Sequence, residues 1–267
     1  MHGGMDVYIG LIKVILMEHN KKDTYFIFGI RAIIEAIEAG KTINKLLMQA
    51  GVQGDLHNEL KDAIKGHDIL VQRVPVQKLN SLTRKNHQGA IAFTSPIDYY
   101  SLENVLPQIY DNGEDPFIFI LDRVTDVRNL GSIARSAECN GVHAIVLPAK
   151  GSALVSADAV KTSAGALNKI PVCKEHNLKD VIQYLKDYGV KVVACTEKTE
   201  DLLPNTSLTG PIAVVMGSEE NGVSSEYLKM CEGRVKIPMF GTIESLNVAV
   251  SASVVMYEIN RQRANDK

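Results

Sequence analysis

Three short segments concentrate the groups that could do chemistry. The first runs Asp122-Arg123-Val124-Thr125-Asp126-Val127-Arg128-Asn129-Leu130-Gly131 and leads to Arg135. The second is Gly217-Ser218-Glu219-Glu220-Asn221-Gly222, and the third is Ile237-Pro238-Met239 followed by Ser245-Leu246-Asn247. They offer guanidinium, carboxylate, carboxamide and hydroxyl groups. A guanidinium clamps phosphate or stabilises a developing oxyanion, and the other groups orient what it holds. Glycine lets a backbone approach a ligand closely. Each segment also has a plain structural explanation. Arg135 can pair with Glu138 at i+3 on a helix. Glu219 and Glu220 can be a solvated loop, and Asn129, Ser245 and Asn247 can be N-caps. Convergence of all three segments on one place is what would favour chemistry.

The surrounding elements make convergence the expectation. Phe117–Leu121, Ala144–Leu147, Ile170–Cys173, Val190–Cys195 and Ile212–Met216 are apolar runs that read as buried strands, with a last strand at Val235–Ile237. Helices are expected at 130–140, 157–164, 178–188 and 225–231. This alternation predicts an α/β fold with a parallel sheet and helices on both faces. Ligands of such sheets bind beyond the carboxyl ends of strands, which is where the three segments fall. G-x-G-x-x-G and G-x-x-x-x-G-K-[ST] are absent, which weakens the dinucleotide-oxidoreductase and NTPase readings. The closing helix, opening with Ser245-Leu246-Asn247, carries no charge from Leu246 to Tyr257, so burial on most sides is expected.

Residues 23–95 read as a smaller α/β unit, with helices at 30–39 and 55–65 and strands at 45–49, 68–74 and 90–94. Before its last strand lies Thr83-Arg84-Lys85-Asn86-His87-Gln88-Gly89, a polar, basic loop. It is either a solvated turn or a contact to phosphates and base edges. Residues 96–115, with Pro96, Pro107 and the run Asp111–Asp115, read as a linker holding one helix at 102–110.

Taken together, Asn129-x-Gly131-x-x-x-Arg135, Gly217-x-Glu219-x-x-Gly222 and Ile237-Pro238-Met239 with Ser245-Leu246-Asn247-Val248-Ala249 resemble the three motifs of the SpoU (TrmH) family. These are RNA ribose 2′-O-methyltransferases of the SPOUT class that use S-adenosyl-L-methionine (AdoMet). The likeness covers residues 116 to 258, and the N-terminal unit resembles the family's RNA-binding domain. The length and appended domain are most similar to the RlmB type, which modifies a guanosine of large-subunit ribosomal RNA. The resemblance implies a C-terminal trefoil knot and a homodimer with the active site near the subunit interface. It implies cofactor contacts from Met216, Gly217, Ile237, Pro238, Met239 and Leu246, with Thr196 and Glu197 beside them. It implies catalytic roles for Asn129, Arg135, Glu219, Ser245 and Asn247, with Asn129 and Ser245 positioning Arg135. Spacing favours Glu219 over Glu220. With that reading, Arg84, Lys85, Asn86, His87 and Gln88 become RNA contacts together with Arg123 and Arg128. A tRNA substrate, or a non-catalytic RNA-binding or ribosome-assembly factor on the same fold, are the alternatives.

The totals fit this reading. A 267-residue chain with a net charge of −2 has no global basic field, so RNA binding would rest on local patches. Cys139, Cys173, Cys195 and Cys231 are widely spaced and form no C-x-x-C pair. Neither a metal site nor a disulfide framework is expected, and a reducing cytoplasm is the simpler setting. Residues 1–22 read as an extension, disordered or docked. Its stretch Val7–Met17 is apolar but interrupted by Lys13 and too short to span a bilayer, which takes about 20 apolar residues.

Overall fold

The computed structural model describes residues 26–265 apart from 68 and 244. The extension 1–22 and its apolar stretch lie outside the described residues. The N-terminal unit comprises β1 (Phe26–Phe28), α1 (Ile30–Glu38), β2 (Ile43–Gln49), α2 (Asp55–Ala63), β3 (Leu70–Val74), α3 (Val76–Leu82) and β4 (Ala90–Thr94). Its sheet has the order β1-β4-β2-β3, with β2 and β3 parallel and β4 antiparallel to both its neighbours. Ile30, Ile33, Ile34 and Ile37 recur at helical spacing along α1. They pack against Leu46, Ala90 and Ala92 on one face of the sheet, while Leu79 of α3 meets Leu47 and Ile91 on the other.

The second unit begins with α4 (Leu102–Asp111) and β5 (Phe117–Leu121). It continues through α5 (Val127–Cys139), β6 (Ala144–Pro148), α6 (Ala157–Thr162), β7 (Val172–Glu175), α7 (Leu178–Asp187) and β8 (Lys191–Cys195). β9 (Ile212–Met216), α8 (Ser225–Met230), β10 (Gly233–Val235) and α9 (Val248–Asn265) complete it. Its six strands are all parallel, in the order β10-β8-β9-β5-β6-β7. Helices cover both faces, as the period-2 alternation of β5 shows. Phe117, Phe119 and Leu121 face α5 and α9, whereas Ile118 and Ile120 face α4 and α7. Each such fully buried side chain contributes about 1.5–3 kcal/mol relative to exposure.

Three expectations need correction. Residues 96–115 are not a free linker: Leu102, Val105, Leu106 and Ile109 bury α4 against the sheet. Helix α5 starts at Val127, three residues earlier than expected, because Asp126 is its cap and accepts from Arg128 N (2.7 Å) and Asn129 N (3.0 Å). That frees the Asn129 carboxamide. Helix α9 starts at Val248, capped by Asn247, whose Oδ1 accepts from Ala249 N (3.0 Å) and whose carbonyl accepts from Ser251 N (2.9 Å). Ser245 lies before it. Nor is α9 buried on most sides, since Val250, Val254 and Tyr257 form an exposed apolar stripe at helical spacing.

Candidate active site

Three loops leave neighbouring strand ends and enclose one cleft of about 1090 Å³. The segment after β8 contributes Thr196 and Glu197, the segment after β9 contributes Met216 to Gly222, and the segment after β10 contributes Ile237, Pro238 and Met239, then Ser245, Leu246 and Asn247. Every residue expected at the cofactor lines this cleft. Parallel strands end on one side of the sheet, which is the reason such distant residues meet.

The loop after β9 is held in shape by groups that sequence reading overlooked. Asp122, at the end of β5, is buried and accepts from Ser224 N (2.8 Å) and from Arg123 Nε (2.8 Å) and Nη2 (2.9 Å). Arg123 Nη2 also donates to Gly222 O (3.2 Å). Arg123 is therefore a clamp on residues 222–224 and not the open RNA contact expected; its guanidinium pKa is raised, first by the hydrogen bond to Asp122. A carboxylate immediately after an apolar strand, one before an arginine, was the available signal. Gly217 sits where any side chain would overlap the backbone of Gly222 and Val223. Gly131, the glycine of the first motif, is pressed against α6: a Cβ there would lie 2.7 Å from Thr162 Cβ and 2.8 Å from Ala159 O.

At the lip of the cleft, Asn129, Glu219 and Asn247 form a closed ring of hydrogen bonds. Glu219 Oε1 accepts from Asn129 Nδ2 (3.1 Å) and from Asn247 Nδ2, which also donates to Asn129 Oδ1 (3.1 Å). The amide orientations follow from one backbone group. Ala249 N can only donate, so Asn247 Oδ1 faces it and Asn247 Nδ2 faces the ring. That in turn points Asn129 Oδ1 at Asn247 and Asn129 Nδ2 at Glu219. Glu219 Oε2 has no hydrogen bond among the described residues and remains an acceptor for a ligand. Glu220 is exposed and stands outside the ring. Glu219→Gln should therefore lower activity about 10- to 100-fold, the range for losing charge-assisted bonds, whereas Glu220→Gln should leave turnover within twofold or so. Equal effects in steady-state assays would refute the assignment.

Two expected catalytic residues are not in the ring. Ser245 lines the cleft but bonds neither Asn129 nor Arg135 among the described residues. Arg135 lies six residues beyond Asn129 on α5, roughly 9 Å along the axis and a third of a turn round. It is exposed, without a hydrogen bond among the described residues, so Asn129 does not position it within one chain. Its neighbour Ser136 accepts from Ser253 Oγ (2.7 Å), so Arg135 adjoins the packing of α5 on α9.

In the N-terminal basic loop, Arg84, Lys85 and Asn86 are exposed. His87 is buried and not open to RNA: its Nδ1 accepts from Gly89 N (3.0 Å), so Nε2 carries the proton and donates to Asn80 Oδ1 (2.8 Å). Gln88 Oε1 accepts from Ile30 N (2.9 Å) and holds the start of α1. Both build the loop that presents their neighbours. Arg128 is exposed one residue before the ring. No metal-binding cluster occurs among the described residues.

Comparison with known proteins shows the family. Residues 116–257 match the SpoU rRNA Methylase family, and residues 26–100 match the RNA 2′-O ribose methyltransferase substrate binding family. The chain belongs to the SpoU family. A Staphylococcus haemolyticus (strain JCSC1435) protein named for the TrmH family of tRNA/rRNA methyltransferases is 35% identical over 237 residues, 89% of this chain and 95% of that protein. The AdoMet-bound crystal structure of an rRNA methyltransferase from Sinorhizobium meliloti superposes with a TM-score of 0.58 at 25% identity, covering 89% of this chain and 87% of that one. The structure of an RNA 2′-O ribose methyltransferase gives 0.53 at 26%, covering 90% and 88%. This SpoU-family protein is an RNA methyltransferase, and its cofactor is AdoMet.

The cleft fits that cofactor. From Ile237 to Leu246 no backbone group is hydrogen-bonded to another backbone group among the described residues. The loop thus offers free N–H donors and C=O acceptors beside the apolar walls of Met216, Ile237 and Leu246. Gly217 gives close access to backbone where a Cβ could not fit. Cys195 borders the cleft, but burial pushes its thiol up to about 12, so it is no thiolate nucleophile.

Proposed function

We propose that this enzyme transfers the methyl group of AdoMet to a ribose 2′-oxygen of RNA, at a guanosine of large-subunit ribosomal RNA. The observation that carries the reading is the Asn129–Glu219–Asn247 ring beside a cleft whose cysteine is neutral. The ring suits orienting a hydroxyl, while methylation of a base carbon through a cysteine adduct would need a thiolate. The match of residues 26–100 to a substrate-binding family of 2′-O ribose methyltransferases supports the choice of oxygen, and the rRNA enzyme among the structural neighbours supports the class of RNA.

The bound cofactor supplies an electrophilic methyl group. The chain's own residues orient the acceptor. Glu219 Oε2 accepts a hydrogen bond from the ribose, Ser245 holds the sugar at the cleft wall, and Arg135 clamps the adjacent phosphate. A guanidinium stays protonated and is no general base. The 2′-proton therefore passes to a phosphate oxygen held against Arg135, whose charge also stabilises the alkoxide that develops as the proton leaves.

Because Arg135 is exposed outside the ring of its own chain, and α9, which packs on α5, leaves the Val250–Val254–Tyr257 stripe exposed, the reading includes a homodimer joined across α9, together with the C-terminal trefoil knot. Arg135 of each subunit then serves the other's site. Val254→Asp should yield monomers in sedimentation analysis; an unchanged oligomer would remove this part.

The enzymatic proposal is tested by tritiated-methyl transfer to separated rRNA and tRNA fractions, followed by mapping of the labelled nucleotide. Label in a ribose of large-subunit rRNA is expected, and label in tRNA alone would overturn the target. RNA contacts are assigned to Arg84, Lys85, Asn86 and Arg128. Neutralising Arg84 and Lys85 together should lower the slope of log affinity against log salt by about 1.4–1.8, at 0.7–0.9 per lost phosphate contact. A slope equal to that of the parent protein would return the loop to the status of a turn.

A further inference from the structure

A second concavity, of about 390 Å³, lies where the two sheets meet. Lys41 and Thr42 line it from the N-terminal unit, and Tyr99, Tyr100, Ser101 and Lys174 from the other. Its walls are fixed. The buried Asn44 donates through Nδ2 to Val155 O (2.9 Å), Ser95 N to Thr42 O (2.9 Å) and Tyr100 N to Val172 O (2.9 Å). Glu175, which also borders it, spends Oε1 on Leu102 N (2.9 Å). The Lys174 ammonium sits 5.5 Å from the centroid of the Tyr99 ring. Lys41 is exposed, and Tyr100 is 51% exposed although its backbone is locked into the sheet edge. The exposed Lys41 ammonium, the exposed Tyr100 ring and the hydroxyls of Thr42 and Ser101 at a preformed crevice match a nucleotide: a phosphate for the lysine and a base to stack on the ring.

Its place in the fold says which nucleotide. Lys174 and Glu175 end β7, and Glu219 follows β9 on the same side of the same parallel sheet. The strands between are β6 and β5, so the crevice lies three strand spacings from the ring, about 14 Å. That is a span of a few nucleotides. The surface between holds the loop with exposed Lys150, which is pinned at both ends by Ala149 N to Glu175 O (2.8 Å) and Ala153 N to Val124 O (2.8 Å).

We propose that this crevice is a second RNA subsite, which binds one nucleotide of the acceptor strand a few positions from the methylated one. Lys41 faces its phosphate and Tyr100 stacks on its base. The assignment rests on the RNA-methylation reading and sets the direction in which the strand crosses the sheet. Neither stacking nor a phosphate contact reads sequence, so a fluorescein-labelled 12-nucleotide oligouridylate is a suitable probe. By anisotropy, Tyr100→Ala should weaken binding about tenfold, within the range for losing one base–aromatic stack, and Tyr100→Phe should keep the parent affinity. Lys41→Ala should lower the salt slope by about 0.7, the value for one phosphate on a single strand. AdoMet affinity should not change in any of the three. Unchanged oligonucleotide binding and salt slope in Tyr100→Ala and Lys41→Ala would overturn the subsite. Uridine monophosphate binding as tightly as the oligonucleotide would overturn it in favour of a free nucleotide. Methyl incorporation into bulk RNA by the parent protein, measured alongside, keeps failure of the subsite distinct from failure of the methylation reading.

Discussion

Arg135→Ala is expected to abolish methyl transfer while leaving AdoMet affinity close to that of the parent protein. The expected loss is about 10²–10³ in turnover, the scale for removing one donor that stabilises charge in a transition state. Arg135 is absent from the lining of the cofactor cleft, so its removal should not disturb the cofactor. Equilibrium titration of AdoMet and single-turnover transfer separate the two effects; near-parental turnover would sink the role. A mixing experiment tests where the arginine acts. If Arg135 serves the partner's ring, a heterodimer of Arg135→Ala and Glu219→Ala chains holds one competent site, built from the intact glutamate of the first chain and the intact arginine of the second. Activity should then return on mixing two inactive proteins. Two inactive proteins that stay inactive when mixed would place the arginine in its own chain's site.

Gly217→Ala should eliminate cofactor binding by a different route. The added Cβ would overlap the Gly222 carbonyl carbon and the Val223 nitrogen, both backbone atoms. The turn closed by Gly222 N donating to Ser218 O (2.9 Å) would have to open. Glu219 lies inside that turn, so the ring at the lip opens with it. Overpacking of this kind costs about 1–3 kcal/mol, visible as a lowered Tm, and AdoMet affinity should fall beyond detection. An alanine variant with parental Tm and affinity would show that the loop yields more freely than its contacts imply.

Much of the sheet was legible because β5 and β9 read as unbroken apolar runs, FIFIL and IAVVM, and their flanking glycines and polar residues mark the ends. The three active-site segments were legible for the same reason: each follows a strand. What sequence hid were pairings across long stretches of chain. Arg123 looks like a free cation until Asp122 and Gly222, the latter 99 residues away, engage it. His87 looks like a base-edge donor until Asn80 and Gly89 take both its nitrogens. Asp126 and Asn129 are equally good caps by type, and only the start of α5 distinguishes them. The apolar composition of α9 says that it is buried by something, but not that one stripe, Val250, Val254 and Tyr257, is left exposed.

The order of the strands also has a consequence for how the enzyme is made. The N-terminal sheet is complete once β4 has emerged at Thr94, because each of its pairings lies within residues 26–94. The cleft is not complete until Ser251, since its walls come from the ends of β8, β9 and β10 and the start of α9. During synthesis at roughly 5–20 residues per second, that interval is on the order of ten seconds or more. For that time a nascent chain carries the unit that matches a substrate-binding family without the cleft that follows it in the chain.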